Sequence, residues 1–404
     1  MKMRIRLILL HFLAILPLAL SAQVFQTENQ LVYHFVRDFE YDNDDYDYSY
    51  VKKYIRKYPI EERSDWPQPV LVEELIPGLS YRQDYIFTLT DKNARKAEEK
   101  QYRSVERNKK KGYLLYNLEP GKTYELKAYL EKNNELVGSS SFSTTGQVRM
   151  LNVGVVRNVR DIGGWQTVDG GRLRYGKIIR GGEIDESVDH HKPTQSELVS
   201  LLEAGVTSEL DLRGDYPPSP LGDNARYVAY DMMNFAFIED EALCAGAVKV
   251  LANELSHGRN VYIHCKGGAD RTGLLCFLVE GACGVSESDL CKDYEMTSFS
   301  DYGMRHRDSE EGGYRDAVAY IKSFRGSSLK AKFYNYLMAG GMTRDEIDRL
   351  VKAMVDHSQD PQSAIRSPQS DPADDAVYNL HGQRVGTHYK GIVIRNGRKV
   401  MMKP

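Results

Sequence analysis

His264-Cys265-Lys266-Gly267-Gly268-Ala269-Asp270-Arg271-Thr272-Gly273 sets one cysteine and one arginine around a glycine pair. Val261-Tyr262-Ile263 before it is an apolar, β-favouring run, and Leu274 to Val279 after it has the composition of a buried helix. Strand, tight loop and helix together gather backbone N–H groups around an anion at a helix N-terminus. A cysteine at the strand end lies where those dipoles favour a thiolate. Arg271 closes the loop with a planar fork that matches two oxygens of a tetrahedral oxyanion. Gly267 and Gly268 let the backbone approach that anion closely.

Outward from this loop the chain alternates apolar strands with amphipathic helices. Ser196 to Ala204 is helical and Val206 to Leu212 a strand; Tyr227 to Tyr230 is a short strand and Asp240 to Ser256 a helix. Such alternation predicts an α/β unit over residues 149–356, with a mostly parallel sheet flanked by helices. Its sites fall outside the carboxyl ends of the strands, where Cys265 stands. Thr343 followed three residues later by Glu346 marks the start of a last helix.

Residues 24–148 have the alternation of a β-domain. Tyr85 to Leu89 and Tyr124 to Leu130 carry the period of half-buried strands, and Ser140 to Thr145 supplies another. Tyr41 to Tyr50 is acidic and tyrosine-rich, Arg95 to Lys111 is basic, and both are expected as solvated loops. Residues 357–376, rich in Gln, Ser, Asp and Pro, are expected as a linker. In residues 377–404, Asn396-Gly397 between apolar alternations predicts a hairpin turn.

The amino end has the pattern of an export signal. Lys2, Arg4 and Arg6 precede a mostly apolar stretch from Leu7 to Leu20, and Ala19, Ser21 and Ala22 place cleavage near Ala22-Gln23. The stretch is shorter than the roughly 20 residues that span a bilayer. These features predict a periplasmic, cell-surface or secreted protein without a transmembrane anchor. A net charge of -3 gives no concentrated basic surface for nucleic acid. Five cysteines, Cys244, Cys265, Cys276, Cys283 and Cys291, leave at least one unpaired in any disulfide scheme. Cys265 is expected to stay reduced, with Cys276 and Cys283 as core residues.

The quoted run resembles the signature of cysteine-dependent phosphatases: His-Cys, five residues, Arg, then Ser or Thr. Its Asp-Arg-Thr-Gly ending is similar to the bacterial tyrosine and lipid phosphatase branch. Asn158-Val159-Arg160-Asp161-Ile162-Gly163-Gly164 resembles the opening motif of that branch, Leu210-Asp211-Leu212-Arg213 its central strand end, and Asp293-Tyr294-Glu295-Met296-Thr297 its helix after the loop. Together these cover about residues 150 to 355. The resemblance implies an exported phosphomonoester hydrolase, of protein-tyrosine-phosphatase type, with Cys265 as nucleophile and a phosphocysteine intermediate. It implies phosphate held by Arg271 and the amides of Lys266, Gly267, Gly268, Ala269, Asp270 and Arg271, with Thr272 helping the thiolate leave. His264 orders the loop, and Asn158, Arg160 and Asp161 brace it. No cofactor or metal is required.

The general acid stays open among Asp231, Asp211, Asp270 and Asp240, with Asp231 first because it ends a strand before the loop. Ala269 stands where the branch often carries a lysine associated with phosphoinositides, which favours phosphotyrosine over phosphoinositide or inositol phosphate substrates. A catalytically inactive binding protein is the reading from another class. Leu118-Glu119-Pro120-Gly121-Lys122-Thr123-Tyr124 resembles a corner of fibronectin type III sandwiches, with Trp66 a candidate core tryptophan. The last segment resembles the C-terminal β-modules of exported Bacteroidetes proteins, which implies contact with secretion machinery; a plain packing hairpin is the alternative.

Overall fold

A computed structural model describes residues 23–37, 50–58, 60–61, 63–185, 191–214, 218–232, 238–300, 302–305, 313–358, 377–379, 384–385, 391–395 and 398–402. The chain divides into two compact units, Met1–Asp356 and His357–Pro404. Residues 1–22, most of Tyr41 to Tyr50 and nearly all of the 357–376 linker lie outside the described residues.

The sheet that carries the cysteine loop runs in the order Arg226–Ala229, Ser208–Asp211, Val261–His264, Ile178–Gly181, Arg160–Asp161. The first four strands are parallel and Arg160–Asp161 is antiparallel at one edge. Successive side chains of a strand point to opposite faces, and here both faces are covered. Val261 and Ile263 enter one hydrophobic cluster with the helices Glu241–Ser256, Asp270–Cys283 and Leu329–Ala339. Tyr262 enters the opposite cluster with Leu198, Leu201 and Val206. Two covered faces explain why these strands are continuous apolar runs in the sequence.

Helix starts are set by short polar signals. Thr194 and Glu197 form a capping box on Gln195–Glu203, and Thr343 and Glu346 form the one foreseen on Arg344–Met354. Asp240 is the N-cap of Glu241–Ser256, accepting from the Leu243 N–H at 3.0 Å. Gly284, at φ +89°, ends Asp270–Cys283 in the left-handed region that glycine enters without strain.

Residues 70–145, with Gln23–Gln26, form two further sheets. One runs Gln23–Gln26, Glu135–Thr145, Thr123–Leu130, Tyr85–Asp91, Glu99–Gln101; the other runs Val70–Leu71, Gly112–Leu115, Val105–Asn108. Phe87, Leu115, Leu126 and Phe142 share one cluster between them. Tyr124, Leu126 and Ala128 are buried on alternate positions, as the strand period requires. The Tyr124 hydroxyl accepts from the Glu119 N–H at 3.2 Å. Trp66 is half-buried against Tyr116, with the Arg63 guanidinium 4.4 Å from its ring centroid, and lies apart from the sheet cluster.

Two expectations for this region need correction. Residues 24–148 are not all β: Gln30–Arg37 and Tyr50–Lys57 are helices, and Val32, Phe35, Val36, Val51 and Tyr54 bury in the cluster under the α/β sheet. The spacing Val32, Phe35, Val36 is a helical stripe, and the Phe35 and Phe299 rings meet edge to face at 5.0 Å. The basic segment Arg95 to Lys111 is not all loop; it contributes Glu99–Gln101 and Val105–Asn108, the first paired with Thr88 to Thr90.

The second unit is a four-stranded antiparallel sheet in the order Arg384–Val385, Val377–Asn379, Gly391–Arg395, Arg398–Met402. Arg395 pairs with Arg398, and the expected turn Asn396-Gly397 lies outside the described residues. Among the described residues no helix is long and apolar enough to cross a membrane.

Candidate active site

Gly181, Asp211, Ala229 and His264 lie in register at the carboxyl edge of the parallel strands. The Cys265 loop leaves that edge and enters the helix Asp270–Cys283 at Ala269, whose methyl side chain cannot cap. Among the described residues, none of the six main-chain N–H groups from Lys266 to Arg271 has a protein acceptor. Buried or half-buried N–H groups are seldom left this way. Six in succession beside Cys265, which is 4% exposed, make a donor-rich, partly desolvated concavity.

The loop holds this shape because its carbonyls are pulled away from the concavity. Asn158 Nδ2 donates to the carbonyls of Gly267 at 3.3 Å and Gly268 at 3.1 Å. Arg180 Nη2 donates to the Gly268 carbonyl at 2.8 Å, and the Glu183 N–H to that of Lys266 at 3.0 Å. Asn158 does this from φ +61°, a region asparagine tolerates better than most residues. Both glycines are also sterically required. At Gly268, φ +65°, a Cβ would stand 2.3 Å from the Gly181 carbonyl; at Gly267 it would strike the Tyr302 ring at 2.0 Å.

Behind the loop lies a buried ionic group. Asp293 accepts from Arg160 Nε at 2.9 Å and from Arg180 Nη1, while Arg160 also donates to Asn158 Oδ1. Burial works against the Asp293 charge, yet the two guanidinium groups overcome it and hold the carboxyl below its ordinary value. Glu280, also buried, is pushed well up by burial and by the neighbouring Asp293 charge. Arg180 and the role of Asp293 as its counter-ion were missed in the sequence. The available signal was a lone arginine inside the apolar strand Ile178–Gly181.

The other expected site residues divide by environment. Arg271 is part-buried, with Nη1 3.4 Å from the Leu212 carbonyl. Thr272 is fully buried and its hydroxyl has no partner among the described residues. Lys266 is exposed and Ala269 buried. His264 is fully buried, with Nε2 2.9 Å from Glu209 Oε1 and Nδ1 3.3 Å from the Cys265 carbonyl, so both ring nitrogens are occupied away from the loop amides. Asp161 braces a turn, accepting from the N–H groups of Gly163 and Gly176, and burial raises its carboxyl to about 6. Glu209, Asp211 and His264 have ligating atoms within 4.8 Å of one another. That cluster is internally satisfied, because His264 engages Glu209 and Arg213 engages Asp211.

The four acid candidates separate on their contacts. Asp211 is fully buried and accepts from Arg213 Nε at 2.9 Å and Nη2 at 2.7 Å. Burial opposes its charge, but the Arg213 hydrogen bonds prevail and hold the carboxyl below its ordinary value. Asp270 is exposed and paired with Arg305 through both oxygens, at 2.8 and 3.1 Å. Asp240 serves as the helix cap already described. Asp231 is exposed, and its Cβ lies 3.5 Å from where a Cβ at Gly214 would stand. It precedes Met232, whose N–H donates to the same Leu212 carbonyl that Arg271 approaches.

No curated protein matches the chain. The family model described as "Tyrosine phosphatase family" matches residues 151–356, the whole α/β region with its cysteine loop and the ion group behind it. The match spans just over half of the sequence, and the chain belongs to the tyrosine phosphatase family.

Proposed function

We propose that the protein is an exported phosphomonoester hydrolase of protein-tyrosine-phosphatase type that works through a phosphocysteine. The carrying observation is the run of six N–H groups beside Cys265 that have no acceptor among the described residues, with the Arg271 guanidinium at the same loop. Such donors stabilise the equatorial oxygens of a phosphoryl group as charge develops in transfer. The Cys265 thiolate attacks phosphorus, the ester P–O bond breaks, and the leaving oxygen takes a proton from Asp231. Asp231, now a carboxylate, removes a proton from water as that water attacks phosphorus; the P–S bond breaks and returns the thiolate with orthophosphate. The buried Thr272 hydroxyl, without a partner among the described residues, is suited to stabilise the departing thiolate. Asp231 is preferred over Asp211 because Asp211 is fully buried with both carboxylate oxygens held by Arg213, whereas Asp231 is exposed.

Export rests on the basic and apolar pattern of residues 1–22. The Tyr124 hydroxyl contact with Glu119 supports a fibronectin III-like reading of the preceding sheets. Purified mature protein should hydrolyse an aryl phosphate in chelator, and Cys265→Ser should lower the rate by at least about a thousandfold. Retention of the rate in that variant would remove the proposed nucleophile. A panel of phosphotyrosine peptide, phosphoinositide and inositol phosphate should rank the peptide first; a phosphoinositide in first place would move the substrate class.

A further inference from the structure

Tyr302 stands against the cysteine loop at a place the proposed chemistry does not use. Its ring occupies the position a Cβ at Gly267 would take, with Cζ, Cε2 and Cε1 within 2.0–2.3 Å of it. The aromatic plane therefore lies directly on the loop backbone two residues from Cys265. Tyr302 is half-buried. Burial, then the nearby Cys265 charge, raises its phenol, in keeping with a hydroxyl end at the cysteine side.

The ring is fixed from its own segment. Arg305 grips Asp270, the first residue of the helix after the loop, through both carboxylate oxygens. The Arg305 guanidinium lies 5.6 Å from the Tyr302 ring centroid. The Arg305 N–H donates to Ser298 Oγ at 2.8 Å, and that hydroxyl donates back to the Arg305 carbonyl. Main chain and side chain of residue 305 are thus both anchored, and Tyr302 is held three residues away.

We propose that Tyr302 is a specificity-determining residue: it forms an aromatic wall at the loop that packs on the ring of an aryl phosphate, phosphotyrosine above all, and has no counterpart contact for an alkyl phosphate. The inference rests on the phosphatase reading given above. Arg305 and Asp270 act as positioning residues for that wall, and this gives Asp270 a role other than proton donor. The proximity of ring and loop also explains glycine at position 267, where any side chain would displace the wall.

The test compares Tyr302→Ala, Tyr302→Phe and Arg305→Ala on a phosphotyrosine peptide and on a phosphoserine peptide of the same sequence. Tyr302→Ala should raise KM for the phosphotyrosine peptide about three- to tenfold, the range of one aromatic pair, with kcat held within about twofold. Tyr302→Phe should behave as wild type, and Arg305→Ala should move KM in the same direction by less. The phosphoserine peptide should keep its kcat/KM in all three. Equal losses on both peptides, or a loss in Tyr302→Phe as large as in Tyr302→Ala, would overturn the wall. A second measurement needs no turnover: in a Cys265→Ser background, Tyr302→Ala should weaken phosphotyrosine-peptide binding and leave inorganic phosphate binding unchanged. Weakening of both would also overturn it. Failure of the phosphatase reading looks different, since wild type would then hydrolyse neither peptide and Cys265→Ser would change nothing.

Discussion

Cys265 differs from the other four cysteines in what surrounds its sulfur. No disulfide joins any of the five among the described residues. Burial pushes Cys276 and Cys283 up to about 12, and Cys244 up to about 11, so at neutral pH these three are uncharged. Since the thiolate is the reactive form, native protein treated with iodoacetamide at pH 7.5 should take up one label per chain, at Cys265. Inorganic phosphate should slow that labelling. Two or more labels per native chain would contradict the picture. Asp231→Asn should cut turnover of an alkyl or phenyl ester by about 10²–10⁴-fold and of a good leaving group such as 4-nitrophenyl far less. Asp211→Asn should not split the two substrates, because its carboxylate serves Arg213. The cysteine loop with Arg271, and Asn158 and Arg160 beside it, were legible in the sequence, since each sits at a fixed offset within a short local motif. Arg180, Asp293 as its partner, and Tyr302 were not, because their contacts join segments far apart in the chain.

At the scale of elements, the cysteine loop is only as rigid as the ion group beneath it. Asp293→Ala would leave two buried guanidinium groups facing each other, a change that typically costs about 3–5 kcal/mol. Urea unfolding at pH 7 should show that loss, and a loss under about 1 kcal/mol would mean water reaches the pair. The capping box on Arg344–Met354 offers a cleaner test. The Thr343 N–H, first, and Lys249 hold Glu346 at about 2 against an ordinary 4.5. A depressed carboxyl stabilises the fold above its unfolded value and loses that effect as pH falls from about 4.5 towards 2. Glu346→Gln keeps an N3 acceptor and removes only the charge, so it should destabilise at pH 7 by about 0–1 kcal/mol after solvent screening and converge on wild type near pH 2. That box was readable in advance because all of its atoms lie within four residues.

For the whole molecule, the surprise is where the first helices bury. Alternation in Tyr85 to Leu89 and in Tyr124 to Leu130 is a local signal, and both segments are strands. The stripe Val32, Phe35, Val36 is too short to show which core it joins, and only the fold reveals that it packs with Phe299. Phe35→Ala should cost about 3–5 kcal/mol, as for other large-to-small changes in a core. It should lower the melting temperature of the α/β region and not merely that of the preceding sheets. A melt that separates into an unchanged α/β transition and a weakened early one would refute the shared core.

That shared core has a consequence for how the polypeptide is made. Phe35 emerges from the ribosome early, and Phe299, against which it packs, emerges only after most of the unit has been synthesised. At roughly 5–20 residues per second the wait is on the order of tens of seconds. During that interval an amphipathic helix stripe has no partner to cover it, and a chaperone that binds short apolar segments would find it there.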